Sequence, residues 1–303
     1  MNPLAVLLVL SFVGMSFACT CDSVSWAQCE GDPCQCYVTV GKNEREILNC
    51  SALIPKCFLM KAEMYKKLHK HFRGMPVDTA LVDNDGPYDP ECESNGLFKA
   101  KQCNNSEECW CVNSAGVRRS DKGDKNLKCE ELVETYWIHV ELKHKATPNP
   151  VEVKDLQRAI AAAIQERYKI SQNLITSVSY DGDARLITVD VKKPLGDRKE
   201  DLSRMAYYME KDVKAQPLLA SSSKFEPNVA GQKLEMENIL VYYVDEKAPT
   251  ITMQRLTGGI VAVIVVVILA VLVGLLVLFI VRRRNQSKYV KAQEMEEIQP
   301  TLS

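Results

Sequence analysis

All 12 cysteines of this 303-residue chain lie between Cys19 and Cys129, and none occurs in the 174 residues that follow. An even number of cysteines crowded into one stretch admits two readings. In an oxidising compartment it is a framework of six disulfides around a loop-rich region; in a reducing one it is metal-binding or redox chemistry. The compartment therefore decides how this part of the chain folds.

The two ends supply the compartment. Residues 4–13 form an apolar core, and Ser16-Phe17-Ala18 places small residues where signal peptidase needs them. This is the pattern of a secretory signal, too short to cross a bilayer, so residues 1–18 are expected to be removed. Residues 260–281 are 22 positions without a charge, dense in Val, Ile and Leu. At 1.5 Å per residue they span roughly 33 Å, which matches a hydrocarbon core of about 30 Å. Arg282-Arg283-Arg284 follows at once, while only Arg255 lies close upstream. The positive-inside bias then puts the tail, 282–303, in the cytosol and residues 19–259 outside, as in a single-pass type I plasma-membrane protein.

Outside the cell the cysteines are expected to be disulfide-bonded. The Cys-x-Cys pairs Cys19/Cys21, Cys34/Cys36 and Cys109/Cys111 do not have the spacing of zinc knuckles, and the four histidines (His69, His71, His139, His144) lie away from them. No metal or cofactor is implied. Small modules need such bridges because they bury too little apolar surface to offset chain entropy. Asn49-Cys50-Ser51 and Asn104-Asn105-Ser106 are glycosylation acceptors, and a glycan on Asn104 would hold the stretch between Cys103 and Cys109 at the surface.

Residues 130–250 lack cysteine and carry clear periodicities. Tyr136, Ile138, Val140 and Leu142 alternate with polar residues, predicting a half-buried strand. Val153, Leu156, Ile160, Ile164 and Tyr168 fall at helical spacing, as do Leu202, Met205, Met209 and Val213, with Asp197 and Glu200 as the second helix's cap pair. Between the helices, 176–180 and 187–191 flank Asp181-Gly182, a hairpin signal. A last strand, apolar on both faces, is expected over 239–244. The order β-α-β-β-α-β predicts an α+β fold with helices layered on an antiparallel sheet. Residues 214–237 read as a long exposed loop, and 245–259 as a stalk into the membrane.

Catalytic chemistry finds no residues. The run His139-Val140-Glu141-Leu142-Lys143-His144 superficially looks like a metalloprotease motif, but the spacing is wrong and a strand would put the two histidines on opposite faces. A net charge of −1 gives no basic surface for nucleic acid, so no nucleic-acid partner is expected, and the chain reads as a non-enzyme.

Two sets of residues carry a family resemblance. Gln102-Cys103, Cys109-Trp110-Cys111-Val112, Gly116 and Cys129, completed by Cys57 and Cys92, resemble a thyroglobulin type-1 repeat. The runs LMKAEM, NDGPYDPEC, TYWIHVELKHKA, AYYMEKDVK and VYYVDEKAP are, in order, similar to the epithelial cell adhesion molecule (EpCAM) family. The resemblance implies pairs Cys57–Cys92, Cys103–Cys109 and Cys111–Cys129 in the repeat. It implies Cys19–Cys34, Cys21–Cys50 and Cys29–Cys36 in the small module before it. The segments are then 19–56 (small disulfide-rich module), 57–129 (repeat), 130–250 (outer domain), 251–259 (stalk), 260–281 (span) and 282–303 (tail).

The resemblance also implies a glycoprotein of lateral epithelial surfaces and cell junctions that supports adhesion by self-association and signals by regulated proteolysis with secretase-type proteases. A cis homodimer is expected, with the 65–91 loop (Leu81 and Val82 at its contact) reaching the strand 239–244 of the other subunit. In the span, Ala270 and Gly274 stand four apart, a small-x3-small face that lets another helix approach closely; by resemblance its partner is a claudin-like membrane protein. Because some thyroglobulin-type modules block papain-like cysteine proteases, inhibition of such a protease is the alternative function.

Overall fold

The strand expected from the alternation at 136–142 forms as β6, Thr135–His144, with Ile138, Val140, Leu142 and His144 buried on one face. The structure, a computed structural model, describes residues 19–69, 88–104, 107–221, 223–251 and 258–297. The chain divides after Thr250 into two compact units.

In the first unit, the cysteine-free part follows the predicted order. Helix α2, Val153–Tyr168, buries Leu156, Ile160, Ile164 and Tyr168, one stripe at helical spacing, while Val153 stays exposed at its first turn. Strands β7, Ile175–Asp181, and β8, Leu186–Lys192, form the hairpin. Its turn is longer than the Asp-Gly signal implies. The Asp181 carboxylate accepts from the backbone N–H of Asp183 and Ala184, and Arg185, at φ 55°, makes the left-handed step. Helix α3, Leu202–Lys214, buries Leu202, Met205 and Met209 as expected, together with Tyr207, Tyr208 and Asp212. Its N-cap is Asp201, which accepts from Arg204 N at 3.0 Å, not the expected pair Asp197 and Glu200. Asp197 instead closes a local turn by accepting from Lys199 N.

The closing strand, β11, runs Met236–Asp245 at one edge of a four-stranded antiparallel sheet of order β11-β6-β8-β7. The strands met in sequence as first to fourth thus lie 4-1-3-2, as in a split-βαβ fold. Of the two apolar faces of β11 the fold covers one: Ile239 and Val241 are buried, while Leu240 and Val244 are half-buried and Tyr242 is exposed.

The expected exposed loop 214–237 is instead part of the core. Leu218, Phe225, Val229 and Leu234 are buried, and the short strands β9, Asn228–Val229, and β10, Gln232–Lys233, pair within it. Phe225 stacks at 5.9 Å on the ring of Tyr168. These residues are spaced without period, so each reaches the core from a different turn of the chain.

The cysteine-rich part is built from small pieces. A meander of β1, Gln28–Glu30, β2, Gln35–Gly41, and β3, Glu44–Leu48, makes the N-terminal module. Helix α1, Lys56–His69, then opens the repeat, whose strands β4, Lys101–Cys103, and β5, Cys109–Cys111, pair antiparallel. Gly116 sits at φ 75° under the Phe98 ring, where an added Cβ would come within 2.5 Å of that ring. Only glycine fits there. Val24, Val38, Leu53 and Phe58 join the same buried cluster as Ile138, Ile160 and Tyr208, so one hydrophobic core runs from the N-terminal module through α1 into the outer sheet.

The second unit contains helix α4, Gly258–Glu297, which continues past the apolar stretch through the basic run into the tail. Among the described residues, Val263–Arg283 is the one segment long and apolar enough to cross a membrane.

Candidate interaction surfaces

The bridges of the repeat are Cys57–Cys92, Cys103–Cys109 and Cys111–Cys129, with Cα separations of 5.9, 4.0 and 5.6 Å. In the N-terminal module Cys19 is bonded to Cys34. The remaining sulfurs gather in one knot: Cys21 touches both Cys29 and Cys36, and Cys36 also touches Cys50. A sulfur closes one bridge, so two bridges serve these four residues. Cys29 and Cys36 face each other across β1 and β2 with sulfurs 3.9 Å apart. Two sulfur triads, Cys19/Cys29/Cys34 and Cys21/Cys36/Cys50, are close enough to hold a metal ion, but bridged sulfurs offer no thiolate to a metal.

Of the acceptor asparagines, Asn49 is exposed and its side-chain oxygen accepts from Ser51 N. Asn104 is half-buried, and its amide nitrogen donates to Glu108 Oε2 at 3.3 Å. The expected dimer-loop residues Leu81 and Val82 lie outside the described residues. Ala270 and Gly274 both lie on α4, and a Cβ added at Gly274 meets nothing within 4 Å.

The expected receiving strand does border a distinctive face. On the side of the sheet turned from the helices, His139 sits in register between Asp190 of β8 and Tyr242 of β11. His139 Nδ1 and Trp137 Nε1 both lie 2.8 Å from Asp190 Oδ1. Lys192 Nζ sits 4.0 Å over the Trp137 ring, and Tyr242, 45% exposed, lies 5.8 Å from the His139 ring. Burial raises the Asp190 carboxyl, but the hydrogen bonds from His139 and Trp137 outweigh it and leave the group below its ordinary value. Rigid aromatic and charged side chains pinned to a sheet are the composition of interface hot spots. His144, on the opposite face, is buried and bonded to Tyr180, so the two histidines do not converge on a metal.

A second set of residues, missed in the sequence, joins the parts of the first unit. Tyr208 of α3 donates its hydroxyl to Ser23 O at 2.9 Å and accepts from Ile54 N at 3.2 Å, so one buried group ties the outer domain to both ends of the N-terminal module. Burial lifts that hydroxyl well above the ordinary tyrosine value. Lys56 of α1 donates to Ala115 O at 2.6 Å, with the rings of Tyr207 and Tyr243 within 5.4 and 5.1 Å.

Beyond β11, the segment expected to begin a stalk is instead bound to the repeat through Thr250. The Asp245 carboxylate accepts from Asn113 Nδ2 (2.9 Å), Thr135 Oγ1 (2.8 Å) and Arg119 Nε (3.0 Å). Arg119 Nη2 donates to Lys247 O and Ala248 O at 2.6 and 3.0 Å, and Thr250 N donates to Arg119 O at 2.8 Å. Burial raises the Asp245 carboxyl, and the hydrogen bonds of Thr135 and Asn113 and the charge of Arg119 offset only part of that rise.

Comparison with known proteins gives this architecture its kin. Residues 54–129 match the model of the thyroglobulin type-1 repeat, and residues 135–245 match that of the EPCAM/Trop-2 C-terminal region. The chain is 44% identical over 296 residues to the epithelial cell adhesion molecule of Mus musculus, covering 94% of this chain and 91% of that protein. To the Homo sapiens protein of the same name it is 43% identical over 304 residues, covering 97% and 94%. To tumor-associated calcium signal transducer 2 of Rattus norvegicus it is 40% identical over 304 residues, covering 98% and 95%. On that kinship it is not an enzyme, and the chain belongs to the EPCAM/Trop-2 family of cell-surface adhesion molecules and signal transducers.

Proposed function

We propose that this chain is a single-pass type I glycoprotein of lateral epithelial membranes and junctions. Its ectodomain self-associates in cis, its span contacts a claudin-like protein through Ala270 and Gly274, and secretase-type proteolysis releases its tail. The observation that carries the reading is similarity along nearly the whole chain, span included, to proteins named for epithelial cell adhesion. The aromatic platform of Trp137, His139 and Tyr242 supports it, because it offers the 65–91 loop of a second copy a preorganised surface beside 239–244. The reading includes glycans at Asn104 and Asn49 and, within the sulfur knot, the bridges Cys21–Cys50 and Cys29–Cys36 that the family resemblance implies. The curated relatives do not favour the protease-inhibitor alternative.

The test has two arms. Replacing Leu81 and Val82 with Asp gives an ectodomain that sediments as monomer; an unchanged dimer removes the loop from the interface. Gly274→Leu fits in the isolated helix, so it lowers claudin co-purification without changing expression, and undiminished capture removes the proposed helix face.

A further inference from the structure

In the strap formed by residues 245–250, Glu246 N donates to Glu134 O, and the Glu246 carboxylate accepts from Gly196 N and Arg198. Lys247 pairs with Glu131, but the tie to the repeat runs mainly through Arg119. Arg119 makes three of its contacts, through Nε to Asp245 and through Nη2 to Lys247 O and Ala248 O, and its own carbonyl accepts from Thr250 N. Both members of the ion pair are withdrawn from water, with side chains 10% and 11% exposed. Arg119 is itself fixed by the braced repeat. Its N–H donates to Cys111 O at 2.9 Å, Cys111 N donates to Ser120 Oγ at 2.9 Å, and Cys111 is bridged to Cys129. Asn113, which holds the Asp245 carboxylate from the other side, is anchored by accepting from Ala115 N and Val117 N. Thus the backbone of residues 245–250 is zipped to a disulfide-closed scaffold rather than to its own domain alone.

A protease binds its substrate as an extended segment with free backbone, so a zipped segment is cut only from a locally opened state. We propose that Arg119 is a latch: while it is closed, 245–250 is protected from cleavage, and its opening turns that stretch into a cleavable segment. The state of the thyroglobulin repeat then controls shedding of the ectodomain. The link to shedding rests on the proposal that the chain is processed by proteolysis; the latch itself does not. Removing one member of a buried pair leaves the other charge uncompensated, which sets the expected size of the effect.

The test uses the full chain in detergent micelles under dilute trypsin, following by mass spectrometry the cut after Lys247 within the strap and the cut after Arg185 in the β7–β8 turn. Arg119→Ala raises the initial rate at Lys247 on the order of tenfold or more and leaves the rate at Arg185 unchanged. Arg119→Lys keeps the charge but not the fork, and falls between. Equal Lys247 rates in wild type and Arg119→Ala overturn the latch. So does acceleration at both sites together, since Arg119 would then be holding the whole fold. The same variants expressed in epithelial cells, with released ectodomain measured in the medium, address the second half. Faster trypsin cleavage with unchanged release leaves the latch standing and removes its role in processing.

Discussion

Residues 19–129 and 130–250 solve the same problem by different means. The first stretch holds all 12 cysteines and short strands of three to seven residues. The second has none, yet closes two helices over strands of seven and ten residues. Its helices bury full stripes (Leu156, Ile160, Ile164, Tyr168), so apolar burial alone offsets its chain entropy. The braced half has fewer such residues, and its bridges act by narrowing the unfolded ensemble. The two halves are nonetheless not separate, because Val24, Leu53 and Phe58 enter the outer domain's core. Disulfides here lock in place a layer that also finishes someone else's core.

That contrast gives an order of expected effects. Ile164→Ala, in the cysteine-free part, is expected to cost about 4 kcal/mol in urea unfolding of the ectodomain, because a fully buried branched chain leaves a cavity the helix cannot close. A cost below about 1 kcal/mol would mean that the outer domain does not live by its core. Opening Cys57–Cys92, which spans 35 residues, by paired Cys→Ala changes is expected to cost about 3 to 4 kcal/mol. Opening Cys103–Cys109, which spans 6, should cost about 2 kcal/mol. Equal losses would show that the bridges act through native contacts and not through loop closure.

Smaller effects sharpen the picture within the outer domain. Asp201→Ala removes the α3 cap and should cost about 1 kcal/mol, whereas Asp197→Ala should cost a few tenths at most. The pH series is smallest. The folded Asp190 carboxyl lies below its ordinary value, so its contribution is fully present above the unfolded pKa and is lost as pH falls through the folded one. The stability gap between wild type and Asp190→Asn, about 1 kcal/mol at neutral pH, should therefore close as pH drops below about 4. A gap that stays constant to acid would separate Asp190 from the His139–Trp137 platform.

What the sequence made legible follows the same divide. The periodic runs 136–142, 153–168 and 202–213 named their own elements, because burial on one face repeats at 2 or 3.6 residues. Leu218, Phe225, Val229 and Leu234 gave no such signal; they are held singly, by a fold that had to exist first. Helix α1 was hidden for a similar reason, its buried residues being chosen by neighbours in two other segments. The cap shifted from Asp197 to Asp201 because only Asp201 places its carboxylate over the free N–H of Arg204. Of the surfaces, the motif-borne residues Ala270 and Gly274 and the acceptor asparagines were visible in the chain. The ties through Tyr208, Lys56 and Arg119 were not, since each joins residues between 59 and 185 positions apart.

The central claim is that braced and unbraced parts make one cooperative unit, and the three tryptophans, Trp26, Trp110 and Trp137, report on it from the N-terminal module, the repeat and the outer sheet. Ectodomains keeping one tryptophan each, the others replaced by Phe, should give urea transitions that coincide once corrected for the substitutions. A repeat that stays folded after the Trp137 signal has been lost would contradict the claim.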